Sequence, residues 1–500
     1  MLRIRVSPSA KQAEEYALAA LSQEGYYTQS QEMAGRWGGQ GAARLGLRGR
    51  VDREAFHLLC HNINPATKEP LTPRTKANRR VGYDFNFNAP KSVSLAYEYT
   101  GDERILKTFL RAERETMEEI EREASTRVRI GGEDEDRPTR ALVWGDVVHF
   151  TARPKDGIPD PHLHSHVFVF NATFDEVEGR WKAVQLGEVK ANAAYYEAAF
   201  HARFAQYLRE AGYKIEPHGR FFEIAGVPAT AKDKFSNRTK IIQAEARRRG
   251  YTTAAEKDGL AALTREKKAK DLTKSELHAL WWARLTPEEK TALEGLKTRL
   301  TRSPEPVLTP EAPLARSKEF LGRSGAALEV LRVAPQNDRE AVAFALEHIF
   351  ERASVVSEKD LLAEALQWGF GRATVEGVKA AVKAFPLIRV ERAGRTLLTT
   401  AEVLAEEQRI VSRCLQGKGK LRALDPAWRI QDESLNPQQR EAVLHVLRSR
   451  DFITGISGKA GTGKTTLLRE AAQGIAWGMD KLCVFAPTSE AARDVLRKEG

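Results

Sequence analysis

The chain has 500 residues, of which 42% are hydrophobic and 29% are charged. This balance is typical of a folded globular protein and excludes global disorder, and at roughly 150 residues per domain the length predicts about three domains. Lysine and arginine outnumber aspartate and glutamate by 79 to 68, which gives a net charge of +11. Net charge alone leaves two alternatives open, an ordinary basic protein and one that binds a polyanion.

Cysteine usage and the N-terminal sequence indicate the compartment. Cys60, Cys414 and Cys483 form no CxxC pair, which excludes a disulfide-built secreted protein and fits a reducing cytoplasm. The first residues lack the apolar stretch of a secretory signal, and no segment approaches about 18 consecutive apolar residues. We therefore expect a cytoplasmic protein without a membrane span.

Residues 1–250 mix helix and strand. A helix is predicted from residue 10, and a period-two strand at 82–88, where Tyr83, Phe85 and Phe87 alternate with polar residues. A long amphipathic helix precedes the two strongest strand candidates, ALVWGDVVHF and HLHSHVFVFNATF, which a connector rich in turn formers joins. A further helix is predicted to end at Gly212.

The second half of the chain changes character. Residues 240–300 are helical in pattern and basic, and residues 303–315 carry four prolines, as an inter-domain linker does. Residues 357–385 predict two helices about a glycine turn, and residues 387–400 predict a β-ribbon. Together they predict a helix–turn–helix with a wing.

A phosphate-binding loop lies near the end of the sequence. Residues 458–465 read GKAGTGKT, which contains Gly458, Gly461, Gly463, Lys464 and Thr465 after an expected apolar strand and ahead of an expected helix. This is the context of a Walker A loop, in which backbone N–H groups wrap the phosphates, the lysine neutralises their charge and the threonine hydroxyl binds Mg²⁺. The pattern predicts ATP binding.

The flanks of that loop resemble the start of a superfamily 1 helicase motor. The resemblance covers about 65 residues, and it assigns Gln439 to adenine recognition and the Pro487–Ser489 turn to single-stranded DNA. No acidic pair on a following strand is present before the sequence stops, so Mg²⁺ would be poorly held. We expect weak ATP binding and negligible ATPase or helicase activity.

Histidines form the most informative cluster in the sequence. His162, His164 and His166 alternate, so on a strand they share one face, and a neighbouring antiparallel strand can bring His149 beside them. Three neutral imidazoles on one face bind a divalent metal and leave positions open, as a catalytic site requires. The spacing predicts such a site.

Tyrosines and an aspartate could act beside this metal. Tyr16, Tyr26 and Tyr27 are ordinary packing residues on spacing alone. With a pKa of about 10, a phenol that acts as a nucleophile needs a metal-polarised target and a base. Asp84, in an otherwise apolar strand, fits either that base or a partner that orients a metal-bound histidine.

Several motifs in order carry a wider resemblance. The Tyr26–Tyr27 pair, GRWGGQGAARLGL, GYDFNFNAPKSVSL, STRVR and HLHSHVFVFN resemble the conjugative relaxases of the F-plasmid type, the MobF branch of the HUH endonucleases, over about residues 1–250. The resemblance implies an α+β fold with an antiparallel sheet and flanking helices. It implies a metal-dependent enzyme that nicks one DNA strand at an origin of transfer during conjugation, through a 5′-phosphotyrosyl intermediate and a 3′-hydroxyl leaving group.

The resemblance also assigns residues. The metal triad falls on His149, His164 and His166, which would hold Mg²⁺, Mn²⁺ or Zn²⁺, and the GYD aspartate falls on Asp84. The first tyrosine position falls on Tyr16 and the second on Tyr26 or Tyr27, with the first attack open between Tyr16 and Tyr26. His162 is either a bystander near the phosphate or a ligand that replaces His149, and the first alternative is preferred.

Partners follow from the charge and the resemblance. Basic residues that flank the motifs are the expected DNA contacts, namely Arg79, Arg80, Lys91 and Arg247. Single-stranded DNA at the origin is the expected substrate, with relaxosome accessory proteins and a type IV secretion coupling protein as partners. Trp281 and Trp282 are expected to pack in a core rather than to stack on bases.

The predicted organisation is a relaxase domain at 1–300, a linker at 301–337, an accessory winged-helix segment at 338–430 and the start of an α/β P-loop motor at 433–500. Two other functions remain open at this point. One is a helicase-class ATP-binding protein whose N-terminal half only docks DNA. The other is a non-catalytic DNA-binding remnant.

Overall fold

The computed structural model describes residues 2–7, 9–11, 13–14, 32–73, 79–251, 253, 256, 259–260, 272–300, 337–392, 394–459, 462–477 and 483. The chain divides into two compact units, Met1–Pro386 with Val390–Leu397, and Leu387–Arg389 with Leu398–Gly500. Among the residues just given, no helix is long and apolar enough to cross a membrane.

The first unit begins with a region that has more strands than helices. Its elements are β1 (Arg3–Ser7), β2 (Glu32–Gly38), α1 (Gln40–Arg44), α2 (Arg53–Cys60), β3 (Gly82–Asn88), α3 (Lys91–Thr100), α4 (Glu103–Glu121), β4 (Ser125–Ile130), β5 (Glu133–Pro138), β6 (Trp144–Thr151), β7 (Pro161–Phe170), β8 (Thr173–Asp175), β9 (Arg180–Lys182) and β10 (Val184–Gln185).

The rest of the first unit is mostly helical. It comprises α5 (Gly187–Ala191), α6 (Ala193–Glu210), β11 (Ile215–His218), β12 (Phe221–Ile224), α7 (Ala229–Lys234), α8 (Asn237–Arg249), α9 (Lys274–Ala283), α10 (Pro287–Leu300), α11 (Asp338–Phe350), β13 (Val356–Ser357), α12 (Glu358–Trp368) and α13 (Val375–Ala384). The chain then passes through β14 (Ile388–Arg392) and β15 (Arg395–Thr399) to α14 (Ala401–Gln416), α15 (Pro437–Arg448) and α16 (Lys464–Trp477).

A five-stranded antiparallel sheet is the centre of the first unit. Its strand order is β1-β3-β7-β6-β2, so the three strands predicted from alternating and apolar sequence are its middle strands. Close strand contacts explain a glycine in the GRWGG motif: a Cβ added to Gly38 would stand 2.1 Å from the ring of Trp144 on the neighbouring strand. The predicted α+β class is confirmed.

The two faces of this sheet are covered differently. On one face Phe87 packs edge-on against Phe200 of α6, and Phe109 of α4 meets the same ring, which forms an aromatic core. The other face is covered at one end by α2, where Phe56 contacts Phe168 and Phe170. The remaining end of that second face carries polar residues and contains the candidate site.

The predicted pair of helices about a glycine turn is present as α12 and α13, with Gly371 between them at φ +75°. These helices belong to the first unit, where Lys379 of α13 donates to Glu119 of α4 and Arg209 of α6 donates to the Gly371 carbonyl. The predicted boundaries at 300 and 337 remain predictions.

The second unit has a small core between α15 and α16, formed by Leu435, Val443, Leu447, Leu467 and Ala471. The apolar strand expected before the phosphate loop is not formed by residues 451–459, and Phe452 and Ile453 are 58% and 49% exposed. A buried parallel strand needs neighbours that pair with its backbone groups, and no strand occurs among the described residues after 400.

Candidate metal centre and phosphate site

The polar end of the sheet is a ladder of side chains from four strands. Asn86 of β3 pairs directly with His166 of β7, Asn88 pairs with His164, and His164 pairs on its other side with His149 of β6. On the far edge, Arg5 of β1 pairs with Asp84 of β3. Directly paired residues project to the same side of a sheet, so the alternation seen in the sequence becomes a single polar surface.

His149, His164 and His166 form a nearly equilateral triangle. Their ring centroids are 5.0, 5.3 and 5.4 Å apart. Metal–nitrogen bonds of about 2.0–2.1 Å in tetrahedral geometry place the centroids of three coordinated imidazoles roughly 5 Å apart. The donor set and its spacing therefore fit a divalent metal with an open coordination position.

Asp84 contacts this triangle through one histidine. Its carboxylate oxygens lie 2.9 and 3.1 Å from Nδ1 of His166. A carboxylate at Nδ1 favours the tautomer in which Nδ1 carries the proton and Nε2 presents its lone pair. Of the two roles open to Asp84 in the sequence, the geometry supports orientation of a metal ligand.

Two asparagines that the sequence reasoning did not single out complete the polar surface. The amide nitrogen of Asn86 lies 2.8 Å from Nε2 and 3.2 Å from Nδ1 of His166, so it rests against the ring rather than on one lone pair. The side-chain nitrogen of Asn88 donates to the side-chain oxygen of Asn86. The side-chain oxygen of Asn88 lies 3.1 Å from Nε2 of His162. Their even spacing after Asp84 on β3 was the available signal.

His162 stands beside the triangle. Its ring stacks on His164 with a centroid distance of 4.7 Å, and its Nε2 faces Asn88. This arrangement favours the interpretation of His162 as a neighbour of the metal ligands, with His149 as the third ligand.

Burial favours the neutral form of two imidazoles of the site, those of His162 and His164. It lowers the pKa of His164 well below its ordinary value, and the other histidines add to the effect. The pKa of His162 falls for the same first reason, with Lys91 and the other histidines contributing. Since a metal binds the neutral imidazole, these shifts favour coordination at neutral pH.

An open cavity of about 620 Å³ lies over the polar surface. Its lining includes the four histidines and Asp84, and five cationic residues stand around them, namely Arg3, Arg5, Lys91, Arg153 and Arg238. Among the lining residues that the structure describes, Asp84 is the one carboxylate against these five cations, which gives the cavity a positive potential that suits a phosphodiester backbone. Sequence reasoning predicted only Lys91 of these; the alternating RIRV at residues 3–6 was the signal for two more.

The four predicted DNA contacts lie in surroundings that differ from one another. Lys91 donates to the Pro161 carbonyl at 2.6 Å, and burial lowers its pKa to about 8 although Asp160 and Glu223 oppose that shift. Half-buried Arg79 donates to the Cys60 carbonyl, whereas Arg80 and Arg247 are exposed.

Other predicted residues fall outside or away from the site. Tyr16, Tyr26, Tyr27 and Gly461 lie outside the described residues. Trp281 is buried in a core and donates to the Pro159 carbonyl at 2.8 Å, which confirms the expected packing role.

The phosphate loop in the second unit has a partly assembled geometry. Lys464 Nζ donates to the carbonyls of Gly458 and Lys459 at 2.8 Å each, and Gln439 donates to the Thr462 carbonyl at 3.0 Å. Thr465 lies in the first turn of α16, and Gly463 has a φ of +74°. Gln439 thus stands against the loop, and its contact with adenine remains a prediction.

Comparison with known families identifies the first unit. The family model for the TrwC relaxase matches residues 10–287. The chain belongs to the TrwC relaxase family. A second family model, for an AAA domain, matches residues 434–500, which include the phosphate loop.

Individual members of the relaxase family show the same similarity. The chain is 33% identical over 255 residues to the multifunctional conjugation protein TraI of Escherichia coli. The aligned region covers 49% of this chain and 14% of that protein. Solved structures of the conjugative relaxase TrwC with oriT DNA, one copper-bound and one described as metal-bound, each give 30% identity over 58% of this chain and 98% of theirs, with TM-scores of 0.51 and 0.50.

Proposed function

We propose that this protein is a metal-dependent, site- and strand-specific DNA relaxase that nicks single-stranded DNA at an origin of transfer. The observation that carries the proposal is the triangle of His149, His164 and His166, oriented by Asp84 and lying under a cavity lined with cations. The curated relative and the solved relaxases named above support it, since the latter hold oriT DNA.

The reaction is a transesterification at one phosphodiester. In the proposed site the three histidines would hold a divalent metal, Mg²⁺, Mn²⁺ or Zn²⁺, which when bound would stabilise the negative charge that builds up on the phosphate oxygens. Asp84 fixes the ring of His166, and Arg3, Arg5 and Arg153 line the place where the flanking phosphates would lie. The cationic lining binds the backbone of the strand, while the base sequence needs separate contacts.

The nucleophile is assigned to a tyrosine. The phenol oxygen of Tyr16 or Tyr26 attacks the scissile phosphorus and the bond to the 3′-oxygen breaks. The proton lost by the phenol is balanced by the one that the released 3′-hydroxyl gains, and the phosphate then links the tyrosine oxygen to the 5′-oxygen of the other fragment. Tyr27 is the alternative at the second position. One ester replaces another, so the step needs no ATP and its reversal rejoins the strand.

The remaining assignments are proposals of the same kind. The partners would be relaxosome accessory proteins and a type IV secretion coupling protein, in the cytoplasm. Gly458, Gly461, Gly463, Lys464 and Thr465, with Gln439, would bind ATP weakly. The domain limits would be 1–300 for the relaxase, 338–430 for the accessory segment and 433–500 for the motor part.

The experiment is a denaturing gel of the full chain with Mg²⁺ or Mn²⁺ and single-stranded oligonucleotides from the adjacent origin. We expect a covalent protein–DNA band that a chelator abolishes and that Tyr16→Phe or Tyr26→Phe removes. If the intact chain forms no covalent species with any oligonucleotide that spans the origin, the proposal is wrong.

A further inference from the structure

A second group of metal-ligating side chains lies on α2, apart from the histidine triangle. His57 and His61 are four residues apart and therefore share one face at the end of this helix, where their ring centroids are 4.5 Å apart. Glu14 reaches them from the N-terminal segment, with Oε1 3.0 Å from Nδ1 of His57 and 2.7 Å from Nε2 of His61.

The geometry suits a small cation as well as it suits an ion pair. One ligand atom of each residue lies within 4.8 Å of those of the other two. Zinc bonds of about 2.0–2.2 Å to nitrogen and oxygen require neighbouring ligand atoms to be roughly 3.3 Å apart. The present contacts of 2.7 and 3.0 Å would have to widen by about 0.6 and 0.3 Å.

The platform under these ligands is rigid while their outer side is open to solvent. The opposite face of α2 buries Phe56, Leu59 and Cys60 in a hydrophobic core. Immediately after the helix, the buried side chain of Asn62 donates to the Thr72 carbonyl at 2.8 Å, which holds the helix end. The side chains of His57 and His61 are 52% and 45% exposed, so an ion has access to both rings.

We propose that Glu14, His57 and His61 form a second divalent-metal site, of the two-histidine, one-carboxylate class that takes Zn²⁺ and leaves a coordination position for water. The ion would tie the residues just before Tyr16 in the sequence to α2. This site is separate from the histidine triangle, and its existence does not rest on the proposed function.

Zinc stoichiometry of the full chain separates the two sites. We expect equilibrium dialysis followed by elemental analysis to give two zinc ions for the native chain. The triple variant His149→Ala, His164→Ala, His166→Ala should retain one ion, and adding His57→Ala and His61→Ala should remove it. The matched control His218→Ala, on β11 and outside both groups, should leave two.

A milder variant guards against loss of the fold. Glu14→Gln keeps the shape of the side chain and a hydrogen-bonding oxygen. When it is added to the triple variant, we expect the affinity for the retained zinc ion to fall by about tenfold or more. The proposal is overturned if the triple variant binds no zinc, or if adding Glu14→Gln to it leaves its zinc affinity unchanged. Either result leaves the nicking assay, and hence the proposed function, untouched.

Discussion

The metal centre of His149, His164 and His166 and the phosphate loop at 458–465 were both recognisable in the sequence. In the structure the first has all of its supporting strands, whereas the second lacks the strand that should precede it. The polar surface that contains the first draws its residues from β1, β3, β7 and β6, and each is fixed by a strand partner on at least one side. The second is one contiguous segment whose Lys464 folds back onto its own loop carbonyls and whose preceding residue Phe452 is exposed.

The difference shows what a motif needs besides its own residues. The histidines need only two strands in the right register, which the first unit provides within residues 144–170. A phosphate loop needs a buried parallel strand on one side and a helix on the other, and the described residues provide the helix α16 alone. We therefore expect mutations in the first site to have large effects on metal affinity and nicking, and mutations in the second to have small effects on nicking.

Loss of a metal ligand should have the largest effect. His149→Ala removes one of three imidazoles, and we expect metal affinity and the nicking rate each to fall by at least about a hundredfold. This loss should exceed the one caused by removing a residue that only orients a ligand. His162→Ala is the control and should keep most of the metal affinity. The measurements are metal titration and the rate of covalent adduct formation. The reverse outcome would make His162 the third ligand.

Loss of the orienting carboxylate should rank second. Asp84→Asn keeps the size of the side chain but removes the charge that holds the Nδ1 proton of His166, so we expect metal affinity to fall by about 10- to 100-fold. Asn88→Ala, on the same face but in contact with His162, should change it far less. Equal losses in both variants would argue against an orienting role for Asp84.

A buried ion cluster should make the stability of the first unit depend on acid. Burial alone would raise the pKa of Glu119, but Arg203, Lys379 and Tyr195 outweigh it and hold that pKa at about 2. Because this pKa is lower than in the unfolded chain, the stabilisation is present above about pH 4.5 and is lost as the pH falls towards 2.

The variant Glu119→Gln tests that cluster. It leaves the buried guanidinium of Arg203 without its charged partner, so we expect the free energy of unfolding at pH 7 to fall by roughly 3–5 kcal/mol, and its pH dependence between 4.5 and 2 to flatten. Glu188→Gln is the control, since its pair with Arg395 is exposed and should matter little. Unfolding in denaturant at several pH values measures both.

The smallest effect on nicking is expected in the second unit. Lys464→Ala removes the ammonium from the phosphate loop, so binding of a fluorescent ATP analogue should weaken while the rate of adduct formation stays at the native value. Lys459→Ala, which changes a neighbouring side chain of the same loop, should alter neither. A marked fall in nicking by Lys464→Ala would show that the two units act together.

Local sequence predicted the parts of the site that lie on one strand. The alternation of His162, His164 and His166 fixes their face whatever the strand pairs with, and Asp84 was recognisable as a carboxylate among aromatic residues. For Trp281, core packing was likewise preferred to base stacking, and the residue is buried.

Long-range placement was the part that sequence left out. Arg3, Arg5 and Arg238 come to one cavity because β1 pairs with β3 and because the start of α8 is held at Asp160, just before β7. Neither contact has a local signature in the sequence. The group of Glu14, His57 and His61 was missed for the same reason, since only a helix and a distant N-terminal segment together create it. The strand predicted before Lys464 is not formed by residues 451–459, because an apolar pattern does not supply the neighbouring strands with which it must pair.

The proposed tyrosine transesterification joins the protein to one defined end of the cleaved DNA, and that end can be identified with labelled DNA. The full chain would be incubated with Mg²⁺ and an origin oligonucleotide that carries one label at its 5′ end and a different label at its 3′ end, and the products would be separated under denaturing conditions. We expect the 3′-labelled fragment to stay on the protein through a phosphotyrosine, and the 5′-labelled fragment to be released with a free 3′-hydroxyl. Retention of the 5′-labelled fragment on the protein, or release of both fragments by hydrolysis, would contradict it.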